Sequence, residues 1–168
     1  MQEEMFNEKD MIKLQNILRE NKKTITTAES CTGGLVAHCI TNISGSSDIF
    51  DGGIISYSNK IKNQELNVKN ETLEKYGAVS KEVVSEMLDG AIKKFNANYA
   101  IAISGIAGPT GGTENKPVGT VVIGVSDDKN EKDIKIYHFK GDRKMVQVRA
   151  SKTSFEKILK FLQKSLDK

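Results

Sequence analysis

The six residues YAIAIS, at positions 99–104, are small and apolar almost without interruption. A strand of this composition is typical of a sheet that is buried on both of its faces. The remaining sequence must then supply helices for both faces. Helical patterns do occur before, between and after the strand-like segments, so the sequence predicts an α/β fold, specifically a three-layer α/β/α sandwich.

The segments on either side of this strand support that prediction. Further strands are predicted, from their β-branched and aromatic residues, at 22–29, 54–58, 118–126 and 133–139. The last two are joined by the turn DDKNEK and are predicted to pair as a hairpin. Apolar periodicity predicts helices at 4–20, 35–43, 59–68, 70–77 and 80–96, and a closing helix from 143 onward. Asn59 and Ser80 are the predicted N-caps of two of them.

Composition excludes several classes of protein. A length of 168 residues predicts one domain spanning 1–168. The net charge of +3 is too small to indicate a nucleic-acid partner. Two cysteines and two histidines without zinc-site spacing predict no metal centre and favour a reduced, cytoplasmic protein. The N-terminus is polar, so no signal peptide is predicted. No apolar run approaches the roughly 20 residues that a membrane span requires, so no membrane partner is predicted.

Three segments end predicted strands in small, polar, turn-forming residues. They are AESCTGG at 28–34, SYSNKIK at 56–62 and ISGIAGPTGG at 103–112. Ligand sites of open α/β sheets lie beyond the carboxyl ends of the strands. The sequence therefore predicts one site, built from these three segments.

The first segment contains two candidate nucleophiles, Ser30 and Cys31. The N–H groups of a helix's first turn have no acceptor within the helix, so donors near Cys31, Thr32 and Gly33 could hold an oxyanion. Gly33 and Gly34 would let the backbone approach a ligand closely. Cys31 could be acidified beside a helix N-terminus. The residues alone leave both nucleophiles open, together with the ordinary role of Ser30 as an N-cap.

A serine nucleophile needs a base, and the histidines are poorly placed. His38 would lie about 12 Å along the following helix, and His138 falls in a late strand. A lysine is the remaining candidate, since Ser–Lys pairs are a known variant of the serine triad. Lys62 would lie in the first turn of a helix, where the helix dipole disfavours its protonated form.

The third segment is rich in glycine. Gly105, Gly108, Gly111 and Gly112, together with both prolines of the chain, predict a restricted loop with accessible N–H groups, which suits an anion-binding nest. Downstream, Arg143 and Arg149 could clamp a phosphate. The alternative is that both arginines are exposed charges at the start of a helix.

Several motifs, in this order, resemble the CinA C-terminal domain family. They are TTAESCTGGLVA, SYSN with the lysine that follows, GAVS, SGIAGPTGG, KPVGTV and GDR, and they span about 24–149. Members of this family include stand-alone bacterial nicotinamide-nucleotide amidohydrolases, and the chain resembles that stand-alone form. The resemblance implies hydrolysis of the carboxamide of nicotinamide mononucleotide (NMN) to nicotinate mononucleotide and ammonia, without a metal or cofactor.

The resemblance also implies roles for individual residues. It places the nucleophile at Ser30 rather than Cys31, the base at Lys62, and an accompanying tyrosine at Tyr57 that would hydrogen-bond within the dyad. Ser104 would bind or polarise the substrate, and Gly105 is a second candidate oxyanion donor.

One departure from the family pattern concerns the tail. Val146 is followed by Gln147, where relatives often have arginine, so Arg149 is the candidate replacement for a phosphate contact. The resemblance further implies a homodimer or larger homo-oligomer with a small-molecule nucleotide substrate. The alternative function is a non-catalytic module that binds pyridine nucleotides or serves competence and damage responses.

Overall fold

The computed structural model describes residues 6–167 and contains a single five-stranded sheet in that part of the chain. The order across the sheet is β2-β1-β3-β4-β5. β1 runs parallel to β2 and β3, whereas β4 and β5 are antiparallel to their neighbours. The strands are β1 Ile25–Glu29, β2 Gly53–Ile55, β3 Tyr99–Gly105, β4 Thr120–Asp127 and β5 Lys132–His138.

Helices cover both faces of the sheet, which confirms the predicted three-layer sandwich. Side chains of α1, α2 and α6 form one apolar core with one face of the sheet, and those of α3, α4 and α5 form a second core on the other. The helices are α1 Glu8–Glu20, α2 Leu35–Thr41, α3 Asn59–Leu66, α4 Asn70–Tyr76, α5 Lys81–Phe95 and α6 Arg143–Leu166, with a short 3₁₀ helix at Ser46–Asp48.

The three parallel strands bring their carboxyl ends to one edge of the sheet. Glu29, at the end of β1, pairs with Ile55 of β2 and with Ile103 of β3. The segments that follow these strands therefore start side by side, although they are far apart in the chain. This register confirms the geometry predicted for the three turn-forming segments.

Several boundaries differ from the sequence predictions. The N-cap of α3 is Ser58, whose side chain accepts from the N–H of Ile61, so the prediction of Asn59 is wrong by one residue. β2 ends at Ile55, three residues before the predicted end at Ser58, although Ser56 still donates its N–H and its hydroxyl to the carbonyl oxygen of Glu29 in β1. The α1 prediction began at residue 4, and residues 1–5 lie outside the described residues. Ser80 caps α5 as predicted.

α3 and α5 pack closely against each other at a glycine. A Cβ added to Gly90 of α5 would lie 2.0 Å from the carbonyl oxygen of Leu66, the last residue of α3. Glycine is therefore the residue that permits this backbone approach. The contact fixes the position of α3, which carries Lys62.

Within residues 6–167, no helix combines the length and the apolar composition that crossing a membrane requires.

Candidate active site

Ser30 and Lys62 meet at the carboxyl edge of the sheet. Ser30 directly follows β1, and Lys62 lies in the first turn of α3, which follows β2. The Nζ atom of Lys62 lies 3.0 Å from the Oγ atom of Ser30, and it also donates to the carbonyl oxygen of Ser56 at 2.7 Å. The residues are 1% (Lys62) and 7% (Ser30) exposed. A hydroxyl and an amine are thus held together away from bulk water.

Burial lowers the pKa of Lys62 from 10.5 to about 8. The physical cause is that a charged ammonium loses its hydration when it is enclosed, which favours the neutral amine. When the amine is neutral, its lone pair can accept the hydrogen bond, and then the proton, of the Ser30 hydroxyl. The adjacent Lys60 is exposed and cannot play this part.

Cys31 does not have the properties of a nucleophile. Its side chain is buried, and burial raises the pKa of the Cys31 thiol to about 12. A thiol with this pKa stays protonated and unreactive near neutral pH. The prediction that a helix N-terminus acidifies the Cys31 thiol is therefore wrong. In residues 6–167 neither histidine contacts Ser30, since His38 is exposed on α2 and His138 lies beside Thr120.

The amino terminus of α2 is occupied by a buried carboxylate. Glu29 accepts hydrogen bonds from the N–H groups of Gly34, Val36 and Ala37, and from the hydroxyl of Thr32. Gly34, rather than Ser30, is the N-cap. The expectation that the first turn of the helix points its N–H groups at an oxyanion is therefore wrong, because Glu29 already uses them.

The turn between β1 and α2 retains two available donors. The carbonyl of Ser30 accepts from the N–H of Gly33 at 3.0 Å, which closes a β-turn with Cys31 and Thr32 at its centre. Among the described residues, the N–H groups of Cys31 and Thr32 donate to no protein oxygen. Gly33 and Gly34 both have positive φ, +60° and +107°, which explains why the turn needs glycine.

A contact from α6 supports this turn. The Nε2 atom of Gln147 donates to the carbonyl oxygen of Cys31 at 2.9 Å. On the opposite side, the N–H and the hydroxyl of Ser56 both donate to the carbonyl oxygen of Glu29, at 2.7 and 3.2 Å. The residues around Ser30 and Lys62 are therefore joined to each other and to α6 by a continuous set of hydrogen bonds.

The rim of the site is held by an arginine. Arg143, the first residue of α6, donates to the carbonyl oxygen of Gly108 at 2.7 Å and to the Tyr57 hydroxyl at 2.9 Å. Its guanidinium thus joins the glycine loop to the segment between β2 and α3. Tyr57 is 60% exposed, and its hydroxyl bonds Arg143 rather than Ser30 or Lys62. Among residues 6–167, the hydrogen bond expected between Tyr57 and the Ser30–Lys62 pair is therefore not formed.

The remaining predicted residues lie around this centre. Ser104, buried at the end of β3, donates its hydroxyl to the carbonyl oxygen of Ala78 at 2.8 Å. Gly105 packs against β4, since an added Cβ would lie 2.7 Å from a methyl group of Val121. Arg149 donates to the carbonyl oxygen of Lys140, in the loop before α6. Substrate contacts by Ser104, Gly105 and Arg149 stay predictions.

Sequence reasoning missed three residues of the site: Glu29, Ser56 and Gln147. Glu29 carried a partial signal, since a carboxylate near a helix start is favoured by the helix dipole, but it lies five residues before the N-cap Gly34, so its spacing did not indicate that it would accept from the N–H groups of α2. Ser56 and Gln147 carried none, because each acts on a backbone carbonyl and any residue type has one.

Comparison with known proteins identifies the family to which the chain belongs. The model of the CinA C-terminal domain matches residues 8–162. A CinA-like protein of Thermotoga neapolitana is 47% identical over 146 residues, which cover 87% of this chain and 35% of that protein. The chain thus spans about a third of the length of such relatives.

Two solved structures have the same fold. A CinA superfamily protein from Klebsiella pneumoniae matches with a TM-score of 0.88 at 32% identity, over 92% of this chain and 96% of that one. A competence/damage inducible protein from Agrobacterium tumefaciens matches with a TM-score of 0.85 at 34% identity, over 96% and 99%. With the family model matching over most of its length, the chain belongs to the CinA C-terminal domain family.

Proposed function

We propose that this domain hydrolyses the carboxamide of NMN to nicotinate mononucleotide and ammonia. The observation that carries the proposal is the 3.0 Å contact between the Ser30 hydroxyl and a buried Lys62 amine. A buried, unpaired lysine is costly to a fold, and perturbed groups of this kind concentrate at catalytic sites.

The first half of the reaction forms an acyl-enzyme. Neutral Lys62 takes the proton of Ser30 as Oγ attacks the carboxamide carbon, and a tetrahedral intermediate with a negative oxygen results. The N–H groups of Cys31 and Thr32 are the available donors for that oxygen, with Gly105 as the alternative. The hydrogen bond to the Ser56 carbonyl keeps the Lys62 amine directed at the hydroxyl.

The second half of the reaction releases both products and regenerates the free enzyme. The C–N bond breaks as Lys62 returns its proton to the departing nitrogen, which leaves as ammonia. Water then gives a proton to Lys62, attacks the ester carbon and releases the carboxylate product and the Ser30 hydroxyl. No metal or cofactor takes part in this scheme.

The rim supplies groups suited to a nucleotide. Tyr57 presents an exposed ring, and Arg143 presents a guanidinium that joins Tyr57 to the glycine loop at Gly108. We assign these residues, with Arg149 and Ser104, to binding the pyridine ring, ribose and phosphate of the substrate.

An ammonia-release assay tests the proposal. NMN, nicotinamide riboside and NAD are compared as substrates, and NMN is expected to be the best. Ser30→Ala and Lys62→Met should each lower kcat at least about a thousand-fold, while Lys60→Met, a change at the exposed neighbouring lysine, should leave it unchanged. Wild-type turnover by Ser30→Ala or Lys62→Met would refute the dyad. Tight binding of NMN without ammonia release would favour the non-catalytic, competence- or damage-related module instead.

We also propose an oligomeric state and a cellular compartment for the protein. We expect a homodimer or larger homo-oligomer, which sedimentation equilibrium of the purified chain would test. We also place the protein in the cytoplasm, because its two cysteines are free thiols and such thiols persist in a reducing compartment.

A further inference from the structure

One side chain of α6 reaches the turn that carries the nucleophile. Gln147 is half-buried and lies one helical turn beyond Arg143, the first residue of α6. Its Nε2 atom donates to the carbonyl oxygen of Cys31 at 2.9 Å. This carbonyl belongs to the peptide that joins Cys31 to Thr32, which is the central peptide of the β-turn closed by Ser30 and Gly33.

The orientation of that peptide decides where an unused donor points. A trans peptide is planar, so the carbonyl of Cys31 and the N–H of Thr32 point in opposite directions. Rotation of the central peptide is the change that converts one type of β-turn into another. A hydrogen bond that holds the carbonyl toward α6 therefore holds the Thr32 N–H away from α6. Within residues 6–167, that N–H donates to no protein oxygen.

The turn is also held from its other side. The Thr32 hydroxyl donates to the carboxylate of Glu29 at 2.7 Å, and Glu29 is anchored to the start of α2. Glu29 thus fixes the side chain of Thr32, whereas Gln147 fixes the peptide that precedes it. These are separate restraints, so the loss of Gln147 should alter the direction of the N–H without dismantling the turn.

We propose that Gln147 is a positioning residue, which keeps the Thr32 N–H directed at the oxyanion that forms when Ser30 attacks a substrate. The inference rests on the proposed amide hydrolysis. A donor contributes most when it already points to where charge develops, because no reorganisation is then needed during the reaction. Since the oxyanion exists only after attack, the contribution should appear in kcat and not in substrate binding.

The test compares three variants by ammonia release from NMN. Gln147→Met keeps the length of the side chain but removes the donor, and it should lower kcat by about 10- to 100-fold with KM changed by less than about three-fold. Gln147→Arg restores a donor and should retain kcat within about five-fold of wild type. Gln163→Met, on an exposed position of the same helix, is the matched control and should behave as wild type.

A second readout separates this inference from the choice of substrate. An aryl fluorophosphonate reacts with an activated serine: the Ser30 Oγ–P bond forms, the P–F bond breaks, and the serine proton leaves through Lys62 with fluoride. The phosphoryl oxygen needs the same donors, so Gln147→Met should slow this reaction also. If the wild type releases no ammonia yet Gln147→Met slows phosphonylation, NMN is the wrong substrate and the positioning role stands.

The inference is overturned if Gln147→Met reacts with the fluorophosphonate at the wild-type rate. It is equally overturned if Gln147→Met lowers only the melting temperature while kcat stays unchanged, because Gln147 would then be a structural contact. Loss of kcat in Gln147→Arg as large as in Gln147→Met would show that the donated hydrogen bond is not what matters.

Discussion

At the scale of single residues, the central feature is a lysine kept where its charge is disfavoured. An ordinary lysine is almost entirely protonated at neutral pH and cannot accept a proton. With its pKa lowered to about 8, about a tenth of Lys62 is neutral at pH 7. Burial of Lys62 beside Ser30 and Ser56 therefore turns a side chain that is ordinarily protonated into one that can accept a proton near neutral pH.

This feature predicts the pH dependence of the reaction. The rate should rise with pH and level off above a midpoint near 8, because only the neutral amine of Lys62 accepts the Ser30 proton. Steady-state kcat/KM for ammonia release from pH 6 to 10 measures it for the free enzyme. A midpoint near 10.5, or a rate independent of pH, would contradict the assigned base.

Replacement of Cys31 separates the two candidate nucleophiles. Cys31→Ala should retain at least about a third of wild-type kcat, since a thiol with a pKa of about 12 contributes no thiolate at neutral pH. The ammonia assay and circular dichroism of the same sample check it. A folded Cys31→Ala protein as inactive as Ser30→Ala would mean that the thiol is required.

At the scale of elements, the site depends on how two helices are spaced. α3 carries Lys62 four residues before Leu66, and the carbonyl of Leu66 lies against Gly90 of α5. An added methyl group would come within 2.0 Å of that oxygen, so α3 would have to move. A residue of α5 outside the site therefore determines where the amine lies.

Gly90→Ala tests this spacing. Alanine normally stabilises a helix interior by up to about 1 kcal/mol relative to glycine, but here overpacking should reduce the free energy of unfolding by about 1–3 kcal/mol. kcat should fall with it, because the Nζ–Oγ distance changes. Urea unfolding and the ammonia assay measure the two effects, and Lys93→Ala, an exposed change on the same helix, is the control. A more stable Gly90→Ala protein with full activity would refute the close approach.

At the scale of the whole molecule, the buried amine opposes folding. A lysine pKa of 10.5 in the unfolded chain and about 8 in the native state means that the unfolded chain binds the proton more tightly. At neutral pH this difference costs about 3 kcal/mol of stability. The cost decreases as the pH rises from about 8 to 10.5, so stability should increase over that interval.

Lys62→Met should reveal this cost. The variant is expected to be inactive yet about 1–2 kcal/mol more stable than wild type at pH 7, the gain being reduced by the lost hydrogen bond to the Ser56 carbonyl. Urea unfolding at pH 7 and pH 10.5 measures it, and at the higher pH the order should reverse, with the variant about 1–2 kcal/mol less stable than wild type, because the protonation cost is then almost gone while the hydrogen bond to Ser56 is still missing. Equal stability of the two proteins at pH 7 would mean that the native lysine is not destabilised.

Much of this arrangement could be predicted from the sequence, for identifiable reasons. YAIAIS indicated a sheet covered on both faces, and the parallel strands that this implies bring Ser30 and Lys62 to one edge. No pattern of residue types indicated the contacts made by backbone carbonyls, such as those of Cys31 and Ser56. The donors at the start of α2 were predicted wrongly, because the positive φ angles of Gly33 and Gly34 turn the chain so that the N–H groups of Val36 and Ala37 meet the Glu29 carboxylate, and residue types alone do not give that conformation.

The short strand β2 has a consequence for how the protein loses activity. β2 contains three residues, Gly53–Ile55, and it lies at the margin of the sheet with β1 as its partner strand. The segment after it leads into α3, so fraying at this margin would carry the amine away from the hydroxyl while the other four strands remain paired. On heating, activity should therefore be lost at a lower temperature than the one at which the whole domain unfolds. A bound nucleotide that bridges this margin of the sheet and α6 should bring these two temperatures closer together.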